Sequence, residues 1–297
     1  MKKLIFITFL FITANGFCQG EYLYSDVTDT DQDGNTFEWI NYGTRDWSIE
    51  NADVSTYRDG TLIPQVTDAY EWENLTTGAW CYYYNNPSNP KLYNWYAVKG
   101  IHDNDPNTPN KEFAPDGWRV PSVYDWNDLI DYLIDNGYNF DIPNSQDNFI
   151  GESMATPNPA NPIDSENFGW WNSNYFGTPG HACSTTNNGS GFNAIASGKR
   201  LYNAFSTSTN TYSGFGGKWK YAWFWTSTES TINNDIASWR SLSYSNRNLA
   251  SGGTSTFFYK KNGYSVRFTR TAQTANININ AVNDFKIIPN PATDYLF

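Results

Sequence analysis

The sequence is poor in the residues that most often carry enzyme chemistry. Its 297 residues include only three cysteines and two histidines. The glycine-, arginine- and aromatic-rich stretch from Gly191 to Arg270 contains no recognisable catalytic constellation. Glycine, arginine and aromatic residues in such a pattern specify a fold through packing and turns. The sequence therefore indicates the architecture and export of the protein more clearly than it indicates a ligand.

Long apolar runs are also scarce, and the clearest lies at the start. Lys2 and Lys3 precede the apolar run 4–12, which is too short to span a bilayer. We therefore predict a signal peptide over residues 1–18, cleaved before Gln19, and a secreted or surface-displayed chain. Lipidation at Cys18 is the alternative, although that reaction needs a small residue where the bulky Phe17 stands.

Positive charge is scarce as well. Without Lys2 and Lys3 the mature chain has 17 basic and 30 acidic residues, a net charge of −13. A chain this acidic is repelled by nucleic acids and anionic membrane surfaces, so neither is expected as a partner. We expect no membrane insertion of the mature chain.

Two cysteines remain after cleavage, Cys81 and Cys183. In an oxidising compartment they could form one disulfide, closing a loop worth at most ~4–5 kcal/mol in the chain-entropy model. Alternatively, Cys183 could form a nucleophilic pair with His181. His102 lies among acidic residues, where a solvated loop is the simpler interpretation. The sequence does not decide whether Cys81 and Cys183 form a disulfide or remain free thiols.

Aromatic residues are abundant, at 18 % of the chain with 13 Trp and 21 Tyr. The simpler explanation is a core of amphipathic rings in a loop-rich secreted domain. The alternative is a set of rings presented for stacking on sugars.

Local patterns predict an α+β domain of short strands, few helices and long loops. Ser122 and Asp125 can cap a helix that ends at Asn136-Gly137, with Trp126 on its buried face. Prolines and asparagines make 138–188 loop-like. The other predicted elements are a hairpin around 37–49 with its turn at 41–44, and strands at 79–84, 221–226, 238–244 and 264–269.

A series of motifs runs in the same order as in one bacterial family. They are DGN at Asp33–Asn35, WSIEN at Trp47–Asn51, DGTLIPQVTD at Asp59–Asp68, AWCYYYNN at Ala79–Asn86, LYNWYAV at Leu92–Val98, DGWRVPS at Asp116–Ser122, GFNAIASGKR at Gly191–Arg200, FWTSTES at Phe224–Ser230, SWRSLSY at Ser238–Tyr244 and NGYSVRFTR at Asn262–Arg270. On these motifs residues 21–270 resemble the Fibrobacter succinogenes major paralogous domain.

The resemblance implies an irregular fold similar to C-type lectins and formylglycine-generating enzymes, in exported or surface-displayed proteins of largely undefined role. This chain departs from the family pattern at Ala114, where many members have a cysteine, and in an expanded loop at 101–112. Residues 271–282 read as a linker. Residues 283–297, with PNPATD at Pro289–Asp294, resemble the start of a type IX secretion sorting signal, which implies that secretion machinery as a partner if the signal is complete.

Three aspartates, Asp29, Asp31 and Asp33, resemble the first half of a calcium loop. Position twelve of such a loop would be Ile40, where a glutamate is needed, so a tight acidic turn is the preferred interpretation. Calcium at these residues stays open. The string Trp126-Asn127-Asp128 also occurs in calcium-dependent lectins, but its helical position makes it a coincidence here.

Two segments are candidate ligand contacts. Trp170, Trp171 and Asn172 could stack on a sugar and bond its hydroxyls, or the tryptophans could instead close the core under the loop. By the resemblance, the turn carrying Tyr244, Asn246 and Arg247 lies where lectin-like folds present ligand contacts.

Other notable residues are expected to be structural. Trp223 and Trp225 alternate in a strand and should share a core face. Arg240 and Arg267 should bond Glu229 or backbone carbonyls.

We therefore expect a secreted or cell-surface, non-catalytic binding module, for glycan or another surface polymer, with no cofactor required. The alternatives are a structural or adhesive surface protein and a redox enzyme of the formylglycine-generating fold, whose copper-binding cysteine pair would require both cysteines of this domain.

Overall fold

The computed structural model describes residues 28–140, 147–157, 169–181, 187–203, 205–206, 211–212, 214–252 and 259–272. The predicted signal peptide, the predicted sorting signal, most of the predicted linker and Cys183 lie outside these residues.

The described part of the chain is a mixed α+β structure in which strands predominate. The helices are α1 (Ala69–Glu73), α2 (Trp95–Lys99), α3 (Val123–Asp135) and α4 (Gly151–Met154). The strands are β1 (Thr28–Thr30), β2 (Thr36–Tyr42), β3 (Arg45–Ser48), β4 (Trp80–Tyr82), β5 (Lys91–Tyr93), β6 (Ser197–Arg200), β7 (Phe205–Ser206), β8 (Thr211–Tyr212), β9 (Phe215–Lys218), β10 (Tyr221–Glu229), β11 (Ala237–Ser243), β12 (Ala250–Gly252) and β13 (Thr269–Thr271). The α+β class predicted from the sequence is confirmed.

Two larger sheets organise these strands. One has the order β1-β2-β3-β13, so that the last described strand pairs with the first hairpin. The other has the order β12-β11-β10-β6-β9, with β6 and β10 parallel and β9 at one edge. Within the described residues, β4–β5 and β7–β8 form two further ribbons.

The predicted hairpin is β2–β3, and its turn is shorter than the one expected at 41–44. Tyr42 pairs with Arg45, which leaves Gly43 and Thr44 as the loop. Gly43 has φ +70°, which suits a type II′ turn. The hairpin is buried on both faces, because Phe37 packs on Trp118 at 5.2 Å on one side. Trp47 packs on Trp126 at 4.8 Å on the other.

The predicted helix is α3, and its local signals are confirmed. Ser122 and Asp125 form a reciprocal capping box, and the helix ends at Asp135 before the C-cap Asn136. Trp126 is fully buried and packs on Phe224 of β10 at 5.5 Å.

β10 joins two hydrophobic clusters, because its alternate side chains enter opposite layers. Trp223 and Trp225 face Tyr264, with ring centroids 5.3 and 4.2 Å apart. Phe224 enters the layer that contains Trp126. The prediction that the two tryptophans share a core face is confirmed.

Two predicted strands are wrong in extent. The segment 264–269 makes only single bridges, Tyr264 with Tyr93 and Ser265 with Phe224, before β13 begins at Thr269. It changes partners along its length, so no continuous ladder forms. The strand expected over 79–84 ends at Tyr82, since Tyr84 has φ +54° inside a 3-10 turn, Tyr83–Asn85.

Both buried arginines bond carbonyls, as expected, but the pairing with Glu229 is wrong. Arg267 donates to Ser48 O at 3.0 Å and to Asn193 O at 3.1 Å. Arg240 donates to the carbonyl of Trp239 and to Asn127 Oδ1. Glu229 instead pairs with Lys260.

Candidate binding surface

The two segments predicted as ligand contacts lie side by side, although they are far apart in sequence. Backbone hydrogen bonds join Trp171 N to Trp219 O at 2.7 Å and Gly180 N to Tyr244 O at 2.9 Å. The approach is so close that a Cβ on Gly180 would lie 2.0 Å from Trp171 O and 2.6 Å from Tyr244 O. Only glycine fits at this crossing, because any side chain would collide with both carbonyls.

The exposed centre of this region is the Trp171 ring, which is 39 % accessible. The Lys220 ammonium lies 3.8 Å from its ring centroid. Tyr244 meets the ring edge-on, with centroids 6.2 Å apart. Tyr244 N donates to Lys220 O at 2.8 Å, so a backbone hydrogen bond holds the lysine and the tyrosine next to each other. We call Trp171, Asn172, Lys220, Tyr244 and Asn246 the Trp171 surface.

Two asparagines add polar groups to the ring. Asn172 and Asn246 are exposed. The Asn246 side-chain oxygen accepts from Asn248 N at 3.0 Å. An amide offers both donors and an acceptor, the combination that sugar hydroxyls require. The Trp171 surface therefore combines a ring, an ammonium and amides.

Trp170 does not belong to this surface. It is fully buried and packs in the same cluster as Trp126 and Phe224. The prediction of a stacking ring is wrong for this residue and the alternative, closing the core, is correct. Neighbouring residues in an extended segment point to opposite sides, so the inward direction of Trp170 turns Trp171 outward.

Arg247 acts within the protein rather than as an open ligand contact. Its Nε donates to Phe176 O at 2.6 Å, and its guanidinium lies 5.0 Å from the Phe140 ring centroid. Its carbonyl accepts from Gly151 N at 2.7 Å. The Arg247 side chain therefore links the segment 169–181 to the turn after β11 by a hydrogen bond.

Three residues of this region were missed by sequence reasoning. Tyr175 and Phe176 are 68 % and 60 % exposed, and two consecutive rings in a polar loop were a signal that could have identified them. Lys220 had no such signal, because its contact with Trp171 is created by the tertiary fold alone.

The three aspartates of the candidate calcium loop accept hydrogen bonds from different partners. Asp31 accepts from the backbone of Asp33 and Asn35, each at 2.9 Å. Asp33 turns toward residues 55 and 56, whereas Asp29 accepts from Trp118 and Arg270. In the part of the chain that the structure describes, no group of three acidic, histidine or cysteine residues is placed to hold a metal. The geometry is that of a tight acidic turn.

Cys81 is a buried thiol. It is fully enclosed in a cluster with Trp72 and Leu92. Burial raises its pKa to about 11, and nearby Arg200 opposes that rise only in part. A thiol in this state is a poor nucleophile. The disulfide with Cys183 stays a prediction, since that residue lies outside the described chain.

The two histidines also have local partners. His181 is buried, with Nδ1 3.8 Å from a carboxylate oxygen of Glu152 and its ring 4.3 Å from that of Phe176. His102 Nε2 lies 3.2 Å from a carboxylate oxygen of Asp103. Within the described part of the chain, no hydrogen bond or ion pair joins either histidine to Cys81.

Comparison with known proteins identifies one family. The family model described as Fibrobacter succinogenes major domain matches residues 40–270. No curated protein and no solved structure matches the chain. No helix of the described residues has the length and apolar character needed to cross a membrane.

Proposed function

The chain belongs to the Fibrobacter succinogenes major domain family, and on that premise we propose that it is an exported, non-catalytic binding module whose Trp171 surface holds a glycan. One observation carries the proposal: two segments distant in sequence converge so that an indole ring is held open to solvent beside an ammonium and amides.

The chemistry of this arrangement suits a sugar. An indole face packs against the apolar C–H face of a pyranose ring, and the gain for such stacking is of the order of 1 kcal/mol. The amides of Asn172 and Asn246 complement hydroxyls around the ring edge. Lys220 is held over Trp171 by a cation–π contact of about 0.5–1 kcal/mol, which is weak enough for a ligand to move it aside.

The lectin-like architecture belongs to the same proposal. Its support is the mixture of short strands, few helices and long irregular segments, with the Trp171 surface built from loops at the ends of β9, β10 and β11. Export is proposed from the amino-terminal signal and the sorting-signal-like ending, and the mature chain's net charge of −13 disfavours nucleic acid as the ligand.

The non-catalytic part of the proposal is supported by the state of Cys81. Its buried thiol has a raised pKa, so the copper- or thiol-based chemistry of an enzyme would require this side chain to leave the core. Binding at the Trp171 surface needs no metal either, so we expect EDTA to leave it unchanged.

A structural or adhesive role is the second candidate. Tyr175 and Phe176 are strongly exposed beside the Trp171 surface. Exposed rings of this kind can bury against another protein rather than a sugar.

A glycan array with the purified mature chain tests the proposal. We expect at least one polysaccharide to bind, and Trp171→Ala to weaken that binding about tenfold, equivalent to roughly 1.4 kcal/mol. Tyr124→Ala is the matched control, because Tyr124 lies on α3 and its ring is 76 % exposed. Absence of binding to every glycan would reject the lectin function in favour of adhesion.

A further inference from the structure

A second exposed aromatic ring lies against β9, outside the Trp171 surface. Tyr84 is 59 % accessible and packs against Phe215 of β9, with ring centroids 5.3 Å apart and an interplanar angle of 33°. The buried Tyr83 supports both rings edge-on, at 4.9 and 5.4 Å. We call Tyr83, Tyr84 and Phe215 the Tyr84 shelf. It shares no residue with the Trp171 surface.

The backbone beneath the exposed ring of the shelf is strained. Tyr84 and Asn85 have φ of +54° and +56°, in the left-handed region that a bulky side chain such as tyrosine rarely occupies. Among the described residues, the only other aromatic residue with positive φ is Trp219, whose carbonyl accepts a hydrogen bond from Trp171 N. Strain of this kind clusters at ligand sites. A strained aromatic residue thus occurs at the Tyr84 shelf and beside the Trp171 surface.

Hydrogen bonds from neighbouring segments impose the strained conformation. Asn85 Nδ2 donates to Thr67 O at 3.2 Å, and Asn89 Nδ2 donates to Tyr83 O at 2.7 Å. These bonds hold the chain on both sides of Tyr84, while the Tyr84 ring stays more than half exposed. The conformation therefore presents the ring to solvent, and burial of that ring does not explain it.

Polar side chains follow the exposed ring in the same turn. Asn85, Asn86 and Ser88 are exposed. Amides and hydroxyls offer both donors and acceptors, which sugar hydroxyls require. The Tyr84 ring offers an aromatic face for the apolar C–H face of a pyranose. The shelf therefore combines an open ring with amide groups, as the Trp171 surface does.

The two sites lie close together along the chain. Phe215 of the shelf begins β9, and Lys220 of the Trp171 surface follows the end of that strand. An extended backbone from Phe215 to Lys220 covers no more than about 17 Å. A polymer held at one site is therefore at high effective concentration near the other.

We infer that the Tyr84 shelf is a second sugar-binding site, so that the protein holds a polysaccharide at two places, with one pyranose ring on Tyr84 and another on Trp171. The inference rests on the proposed glycan-binding function and specifies its ligand class, a polymer rather than a single sugar. Two weak stacking contacts on one polymer give an avidity that neither contact supplies alone.

The test compares polymers with their disaccharides, using the purified mature chain and calorimetry. The pairs are laminarin with laminaribiose, xylan with xylobiose, and dextran with isomaltose. We expect at least one polymer to bind, and to bind at least about tenfold more tightly per disaccharide unit than the free disaccharide does.

Two substitutions of Tyr84 test the role of its ring. Tyr84→Asn removes the ring and introduces a residue that tolerates the left-handed backbone. We expect it to weaken polymer binding at least about tenfold and disaccharide binding only about twofold, because one of two sites is lost. Tyr84→Phe keeps the ring and should bind like the parent. Tyr124→Ala, which removes an exposed ring on α3, is the control.

Thermal stability separates a binding role of Tyr84 from a structural one. Because asparagine relieves the backbone strain, the melting temperature of Tyr84→Asn should rise or stay within about 4 °C of the parent's. A larger fall would place Tyr84 in the structural framework and overturn the inference.

Three binding results would also overturn the inference while leaving the proposed function intact. The first is polymer binding unaltered by Tyr84→Asn, which would leave a protein contact as the use of the shelf. The second is a loss in Tyr84→Phe as large as that in Tyr84→Asn. The third is no binding of the three polymers when another glycan binds on the array. Absence of binding to any glycan would reject both proposals.

Discussion

Aromatic rings in the interior and those of the Trp171 surface have the same chemistry but different partners. Inside, three indole N–H groups donate to backbone carbonyls: Trp72 to Lys261 O, Trp95 to Thr226 O and Trp225 to Tyr93 O, at 2.6–2.9 Å. On the Trp171 surface, Trp171 contacts a lysine ammonium and the edge of a tyrosine. Interior rings thus hold strands together, whereas the Trp171 ring is partly open to water.

This difference explains why aromatic content alone did not identify a function. A buried indole such as that of Trp225 contributes its transfer energy and a satisfied hydrogen bond to stability, so its removal damages the fold. An exposed indole held by a cation contributes little to stability, so its position needs another explanation. Four experiments test this contrast.

The largest effect is expected from interior tryptophan. Trp225→Ala removes a ring 4.2 Å from Tyr264 and should lower the free energy of unfolding by about 3–5 kcal/mol. Trp171→Ala should lower it by less than about 1 kcal/mol. Urea unfolding of the two variants measures both free energies, and similar losses would contradict the division between the interior and the Trp171 surface.

Thiol reactivity tests how closed the interior is. With its pKa raised to about 11 by burial, Cys81 in the reduced native protein should alkylate at pH 8 at least about 100-fold more slowly than in urea. Peptide mass spectrometry separates Cys81 from Cys183. Equal rates in native and unfolded protein would show that the cluster around Trp72 opens readily.

A charged side chain in the interior should also require charged or hydrogen-bonding partners. Burial acts to raise the pKa of Asp125, but hydrogen bonds from Arg119 and Ser122 outweigh it and lower the pKa to about 2. Since the folded pKa lies below the unfolded one, this stabilisation is present above about pH 4 and is lost as pH falls toward 2.

Asp125→Asn should therefore lower stability at pH 7 by roughly 2 kcal/mol and flatten the melting-temperature profile between pH 4 and pH 2. Asp128→Asn is the control on the same helix, because its side chain is 54 % exposed and its ion pair with Arg45 is long, at 3.5 Å. An unchanged acid profile in Asp125→Asn would reject the ion-pair account.

The smallest effect on stability is expected on the Trp171 surface. Lys220→Met should change the free energy of unfolding by no more than about 0.5–1 kcal/mol, since it removes one exposed cation–π contact. Thermal and urea unfolding measure the change. A loss of several kcal/mol would mean that Lys220 belongs to the structural framework.

Sequence reasoning succeeded where the signal was local. The capping box at Ser122 and the spacing of buried residues specified α3, because cap and stripe lie within one element. The β2–β3 hairpin followed from alternation and a glycine turn. The alternation in β10 likewise placed Trp223 and Trp225 on one face.

It failed where a residue's environment is supplied by distant parts of the chain. The segment 264–269 was predicted as a strand, but it divides its backbone hydrogen bonds between β5, β10 and β3. Arg247 reads as an open ligand contact, but Phe176 O and the Phe140 ring engage it.

The sequence by itself determined the family, the α+β class and the boundaries of the best-capped helix, because these depend on short-range patterns and on motif order. Only the tertiary structure decided which of two adjacent tryptophans, Trp170 or Trp171, faces water. It also decided that Lys220 would lie over the exposed ring. Both outcomes depend on where β9, β10 and the segment 169–181 cross, and no local interaction encodes that crossing.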